Sequence, residues 1–165
     1  MTKLAIYAGT FDPLTLGHVD LIERTSDIFD RLILAVVVEP LKDNMFTIEE
    51  RLAMAREVVK DLGNVEVEAF DGLLVNYARA KGARVLIRGL RAYSDFEYEF
   101  QMALTNRKLS PEIETIFMMP KETYSYVSSS IVREVAKLGG DTSEFVPGPV
   151  QKVLAKKVRS SKFKV

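Results

Sequence analysis

Five short apolar runs, each parted from the next by a longer amphipathic stretch, constrain the fold of this chain more than anything else in it. The runs are Leu4 to Ala8, Leu32 to Val38, Val65 to Phe70, Val85 to Arg88 and Thr115 to Met119. Val, Ile and Leu dominate them, as expected of strands buried on both faces. The intervening segments repeat at helical spacing. Val19, Ile22, Ser26 and Phe29 share one helix face, and Ile48, Leu52, Ala55 and Val59 share another. Thr47-Ile48-Glu49-Glu50 and Ser94-Asp95-Phe96-Glu97 both fit a capping box at a helix start. Strands that alternate with helices predict a doubly wound, Rossmann-like α/β domain with a five-stranded parallel sheet and helices on both faces. No repeat or linker divides residues 1–165, so one domain is expected, ending in a basic C-terminal helix and tail.

Composition narrows the chemistry. With 47% apolar residues in 165, the chain has material for a substantial core. It has no cysteine and one histidine, which excludes disulfides and thiolate metal sites. No long apolar stretch suited to a signal peptide or a membrane helix is present, and a cytoplasmic location is expected. Residues 151–165 carry six Lys or Arg and no acid, against 17 bases and 23 acids in the remainder. Val150, Val153, Leu154 and Val158 fall at helical spacing there, and no aromatic residues are interleaved for base stacking. A solvated helix face is expected, with neither nucleic acid nor a membrane as partner.

Ligands of doubly wound sheets bind outside the carboxyl ends of the strands, so the residues following each run carry the functional information. After the first run stand Gly9, Thr10 and Phe11, followed by Pro13, Gly17 and the lone His18. A strand that turns into a helix start in this way offers N–H groups to phosphate, and an imidazole on the first helical turn can donate to an oxyanion. With an ordinary pKa of about 6.5, His18 is open to either protonation state near neutrality. Lys42 follows the second run, and Asp71-Gly72-Leu73-Leu74 the third. Arg88-Gly89-Leu90-Arg91 ends the fourth, and Tyr124-Ser125-Tyr126-Val127-Ser128-Ser129-Ser130 follows the fifth. Lys42 alone also fits a solvated loop, and the serines also fit a helix cap. Arg88 at the end of an apolar strand needs a partner anion or an exposed strand end. In the helix expected from Ser94, Phe96, Phe100 and Ala103 mark a core face. Glu99, Met102 and Asn106 mark either a half-exposed flank or a ligand wall.

Other phosphate motifs are missing. There is no Gly-x-Gly-x-x-Gly after the first run and no Gly-x-x-x-x-Gly-Lys, which argues against a nicotinamide dehydrogenase and a P-loop kinase. No Gly-x-Ser-x-Gly elbow points to acyl chemistry.

Thr15-Leu16-Gly17-His18 resembles the T/H-x-G-H signature of the nucleotidylyltransferase superfamily, and Val127-Ser128-Ser129-Ser130-Ile131-Val132-Arg133 resembles its second signature. With Gly9-Thr10-Phe11-Asp12-Pro13, Lys42 before Met45-Phe46-Thr47, and Arg88 to Arg91, the likeness extends over nearly the whole chain to the phosphopantetheine adenylyltransferases. That resemblance implies attack of the 4′-phosphate of phosphopantetheine on the α-phosphorus of ATP, with Mg²⁺ carried by the nucleotide phosphates rather than by protein ligands. By the same resemblance His18, Thr10, Lys42 and Arg91 act in catalysis. Thr10, Lys42, Leu73, Leu74, Arg88, Met102 and Asn106 receive phosphopantetheine. Thr10, Phe11, His18, Gly89, Leu90, Arg91, Glu99 and residues Tyr124, Ser125, Tyr126, Val127, Ser128, Ser129 and Ser130 surround ATP. A homohexamer built as a dimer of trimers, and feedback binding of coenzyme A, are implied as well.

The likeness has departures. Asp43-Asn44 follow Lys42 where a further lysine is frequent, and Glu39 stands where asparagine is frequent. Two acids beside Lys42 would weaken its hold on a phosphate. Small cytidylyltransferases and nicotinamide mononucleotide adenylyltransferases share the two signatures. A nucleotide-binding regulator without catalysis is the alternative from another class.

Overall fold

The strand β1 (Leu4–Gly9) runs through the middle of a five-stranded parallel sheet of order β3-β2-β1-β4-β5. In the computed structural model, which describes residues 3–38, 44–91 and 93–162, β2 (Arg31–Val37) and β3 (Val65–Phe70) flank it on one side. On its other side stand β4 (Val85–Gly89) and β5 (Glu114–Met118). The helices are α1 (Leu16–Ile28), α2 (Ile48–Val59), α3 (Leu74–Lys81), α4 (Tyr93–Leu109), α5 (Ser129–Lys137) and α6 (Gly148–Lys162), with a 3-10 turn at Glu122–Tyr124. The five strands match the expected runs to within a residue or two at each end; β1 and β2 are near-continuous apolar and buried, whereas the edge strands β3 (VEVEAF) and β5 alternate and are only partly buried.

Alternation along β1 divides the core into two layers. Ala5 and Tyr7 face one side with Leu32, Leu34 and Val36 of β2, under buried residues of α1, α2, α5 and α6. Ile6 and Ala8 face the other side with Ile33, Ala35 and Leu86, under Val75 and Ala78 of α3. Val150 and Leu154 of α6 are buried as their spacing predicts.

The longest helix departs from expectation. Phe96 and Phe100 of α4 are 48% and 45% exposed, and Ala103 is only part-buried, so their shared face is not a core face. The two phenyl rings stack on each other at 5.5 Å between centroids instead. The second core layer is closed without them, by α3 and Ile113. Ser94 lies inside α4, which starts at Tyr93, so the Ser94 to Glu97 capping box is not the helix start. At the opposite helix, Thr47 and Glu50 form the expected reciprocal cap of α2. Among the described residues, no helix is long and apolar enough to cross a membrane.

Candidate active site

Strand order reverses between β1 and β4, whose neighbours in the sheet lead away in opposite chain directions, and a cavity of about 220 Å³ opens at the carboxyl ends of these two strands. Gly9, Thr10 and Phe11 line it from the end of β1, and Arg88, Gly89 and Arg91 from the end of β4. The starts of two helices complete it: Thr15, Gly17 and His18 from α1, and Ser128, Ser129 and Ser130 from α5. Two helix N-termini directed at one cavity present partial positive charge to whatever binds there.

The cap of α1 sets the chemistry of His18. Thr15 is the N-cap, and its side-chain oxygen accepts the His18 backbone N–H at 3.3 Å. In return the Thr15 backbone N–H donates to Nδ1 of His18 at 3.0 Å. A nitrogen that accepts carries no proton, so the neutral ring bears its hydrogen on Nε2. Burial first, then the charges of Arg91 and Arg88, push the imidazole down to about 3. Of the two protonation states open to the sequence, the structure therefore selects the neutral one, a donor through Nε2. The ring of Phe11 stands edge-on to His18 at 5.1 Å and to Tyr7 at 5.4 Å. Phe11 has a left-handed backbone (φ 50°), and Gly9 admits its ring, since a Cβ on Gly9 would lie 2.9 Å from the Phe11 Cζ.

Arg88 has the partner its position demands. It donates through Nε and Nη2 to the two carboxylate oxygens of Glu99 at 2.7 and 2.6 Å, and through Nη1 to the Ala8 carbonyl at 2.9 Å. The pair stands in a wall shared by two cavities. Beyond it lies a second space of about 340 Å³, mostly apolar, lined by Leu73, Leu74, Tyr98, Met102 and Asn106. Glu99, Met102 and Asn106 thus share the lining of this space, although Met102 is still 39% exposed. Arg91 donates to Asp95 at 3.2 Å and to the Val127 carbonyl at 3.4 Å, which fixes its head on the rim of the first cavity.

Several buried charges hold these pieces in register. Asp12, 2% exposed, accepts the backbone N–H groups of Met45 and Phe46 at 2.9 Å each and lies 3.5 Å from the Arg133 guanidinium. Arg133 also donates to the Asp12 carbonyl at 2.6 Å, and Ser129 donates to the Pro13 carbonyl at 2.8 Å. These bonds tie α5 and the segment before α2 to the loop after β1. Arg51, also 2% exposed, donates to the carbonyls of Thr10, Val37 and Val38, closing the ends of β1 and β2. Asp20 accepts from Arg24 and from the Lys121 backbone, anchoring the chain after β5.

Most residues expected at the site do converge. Thr10, Phe11, His18, Gly89, Arg91, Ser128, Ser129 and Ser130 line the first cavity, Leu73, Leu74, Met102 and Asn106 the second, and Arg88 and Glu99 both. Leu90, Tyr124, Ser125, Tyr126 and Val127 do not line either one. Leu90 donates its N–H to the Met118 carbonyl, the Tyr126 ring packs edge-on to Phe145, and Val127 is buried, supporting Arg91 through its carbonyl. Lys42, with Glu39 and Asp43, lies outside the described residues. Asp12, Asp20, Arg51 and Arg133 were missed as positioning residues. Most of their partners stand far away in sequence, so spacing carries little sign of them; Arg133 lies in the second signature, and Asp12 in the Gly9 to Pro13 run ahead of the first. Among the described residues, no group of three or more His, Asp or Glu could hold a metal ion.

The cytidylyltransferase-like family model matches residues 6–135. A phosphopantetheine adenylyltransferase of Methylococcus capsulatus is 58% identical over 161 residues, covering 98% of this chain and 99% of the relative. One of Alkaliphilus metalliredigens is 56% identical over 155 residues, covering 94% and 99%. A solved structure from Vibrio parahaemolyticus, assigned to the nicotinate-nucleotide adenylyltransferases, superposes with a TM-score of 0.71 at 22% identity over 96% of this chain and 95% of that one, a likeness of fold. The chain belongs to the cytidylyltransferase-like family and, within it, to the phosphopantetheine adenylyltransferases.

Proposed function

We propose that the protein moves the adenylyl group of ATP onto the 4′-phosphate of phosphopantetheine, giving dephospho-coenzyme A and pyrophosphate, a step of coenzyme A biosynthesis. The observation that carries this reading is the pair of cavities on either side of Arg88 and Glu99. One has a mixed lining, with two helix starts and His18; the other is larger and mostly apolar, suited to the pantetheine arm. ATP occupies the first, its phosphates toward Arg91 and Ser128 to Ser130, and the acceptor occupies the second, its phosphate at Arg88.

An oxygen of the acceptor phosphate forms the new bond to the α-phosphorus, while the bond from that phosphorus to the β-bridging oxygen breaks and pyrophosphate leaves with the electron pair. No protein nucleophile is needed. The protein aligns two polyanions and aims donors at developing charge. The Nε2–H of His18 donates to an α-phosphate oxygen, and being neutral it neither gains nor loses a proton. Thr10 and Lys42 orient the attacking phosphate, and Arg88 offsets its charge. Mg²⁺ enters as part of the nucleotide substrate, since Glu99, Asp95 and Asp12 are already engaged by Arg88, Arg91 and Arg133.

A homohexamer and feedback binding of coenzyme A in the acceptor cavity belong to the same proposal. The exposed apolar face of α4, with Phe96, Phe100 and Leu104, supports an assembly. A cytoplasmic setting, where ATP is at hand, belongs to the same proposal. Release of pyrophosphate from ATP and Mg²⁺ with 4′-phosphopantetheine, and not with glycerol 3-phosphate or nicotinamide mononucleotide, tests the reading. ATP binding without release would mark a regulator instead.

A further inference from the structure

Tyr7 sits in the middle of β1, 4% exposed, its ring packed in the first core layer. Its hydroxyl is placed differently from its ring. Tyr7 lines the first cavity, and the hydroxyl lies 3.6 Å from where a Cβ on Gly89 would stand. The charged groups that act on it are Arg88, Arg91 and Glu99, all three of them cavity residues. Among the described residues, no group makes a hydrogen bond with this hydroxyl. Arg51 Nε is the one fully enclosed side-chain polar atom there without a partner, so the equally unpartnered Tyr7 oxygen is open to the cavity.

A polar group so placed calls for a reason. Buried polar groups are paired in the great majority of cases, and a phenylalanine would fill the same volume, and meet Phe11 edge-on in the same way, without desolvating a hydroxyl. Burial holds the phenol protonated, against the pull of the two arginines. It therefore offers an O–H while adding no charge between them. Arg88, Arg91 and His18 line the same cavity as this hydroxyl, and two guanidinium charges beside a neutral imidazole favour an anionic oxygen there. We infer that the Tyr7 hydroxyl donates a hydrogen bond to a phosphoryl oxygen of a bound substrate and is a further binding group of this site. The inference rests on the adenylyl-transfer reading, and the phosphoryl group belongs either to ATP or to the acceptor.

Tyr7→Phe removes only the oxygen. The unliganded variant is expected to melt at or above the wild-type temperature, because the lost group has no partner in the fold. Its Kd for ATP or for 4′-phosphopantetheine rises about tenfold, and the ligand that loses affinity identifies the phosphate concerned. Affinity for pantetheine, which lacks the phosphate, stays unchanged. Kd values within about twofold of wild type for both phosphate-bearing ligands, or a clear drop in Tm, would overturn the inference. Wild-type turnover measured alongside separates the two readings: without turnover the adenylyl-transfer reading fails. Inorganic phosphate and tripolyphosphate then decide for Tyr7, since equal affinity for both in wild type and variant overturns it and weaker binding of either supports it.

Discussion

The Thr15 backbone N–H donates to Nδ1 of His18 at 3.0 Å, and this bond leaves Nε2 to carry the hydrogen of the neutral ring. Because the same residue caps α1, the helix start and the tautomer are set together. A histidine at the third helical position thus takes the place that glutamate holds in the cap of α2.

Depression of the His18 pKa to about 3 has a sign that thermal melts can read. Between that value and about 6.5 the unfolded chain binds a proton that the native ring refuses, so stability is complete above about pH 6.5 and falls as pH drops toward 3. The slope from this group is at most about 1.4 kcal/mol per pH unit, and less for a part-exposed ring. In His18→Gln the Tm is expected to vary less between about pH 4 and 6.5 than in wild type. Parallel Tm curves for the two proteins would contradict a depressed pKa.

Arg133 and Asp12 join the second signature to the loop that leads into the first. Arg133→Ala leaves a buried carboxylate held by two N–H groups alone, and a loss of about 2 to 3 kcal/mol is expected in denaturant melts. Because the strut braces both α5 and the Met45–Phe46 segment before α2, KM is expected to rise for both substrates. A variant with wild-type stability and a change in only one KM would refute the strut.

Removing Arg88 exposes the consequence of its pairing. In Arg88→Ala, Glu99 is left as an uncompensated anion beside the proposed acceptor-phosphate position, so affinity for 4′-phosphopantetheine is expected to fall more than a lost contact alone would require. Adding Glu99→Gln to Arg88→Ala is expected to recover part of that affinity. Calorimetric titration of the four proteins gives the coupling directly, and additive effects would show that the pair acts independently.

The stacked Phe96 and Phe100 supply the test of assembly. Phe96→Asp with Phe100→Asp places two charges on the exposed face of α4, and sedimentation is expected to show smaller species than wild type. An unchanged sedimentation coefficient would place the subunit contact elsewhere.

The fold was legible where one physical rule acted alone. Val65 to Phe70 is a strand because Val65 and Val67 alternate with Glu66 and Glu68 up to the break at Asp71-Gly72, and Thr47 caps α2 because Glu50 answers it. α4 was misread because a periodic apolar face looks the same whether it meets the protein's own core or another surface. At the site, His18, Arg88 and Ser128 to Ser130 could be found since they follow strands, where ligands bind. Arg51 could not: it lies one residue before Leu52 on an amphipathic helix, and its three carbonyl partners exist only after β1 and β2 have met. Tyr7 was hidden in the same way, inside a run whose apolar character made it look like core alone.

His18→Ala tests the central claim most directly, by comparing single-turnover pyrophosphate release with ATP binding in the same preparation. We expect the rate to fall by about a thousandfold, while the Kd for ATP stays within about threefold of wild type, because the Nε2–H bond matters chiefly once charge has developed on the α-phosphate. Near-wild-type turnover, or a loss confined to ATP affinity, would contradict it.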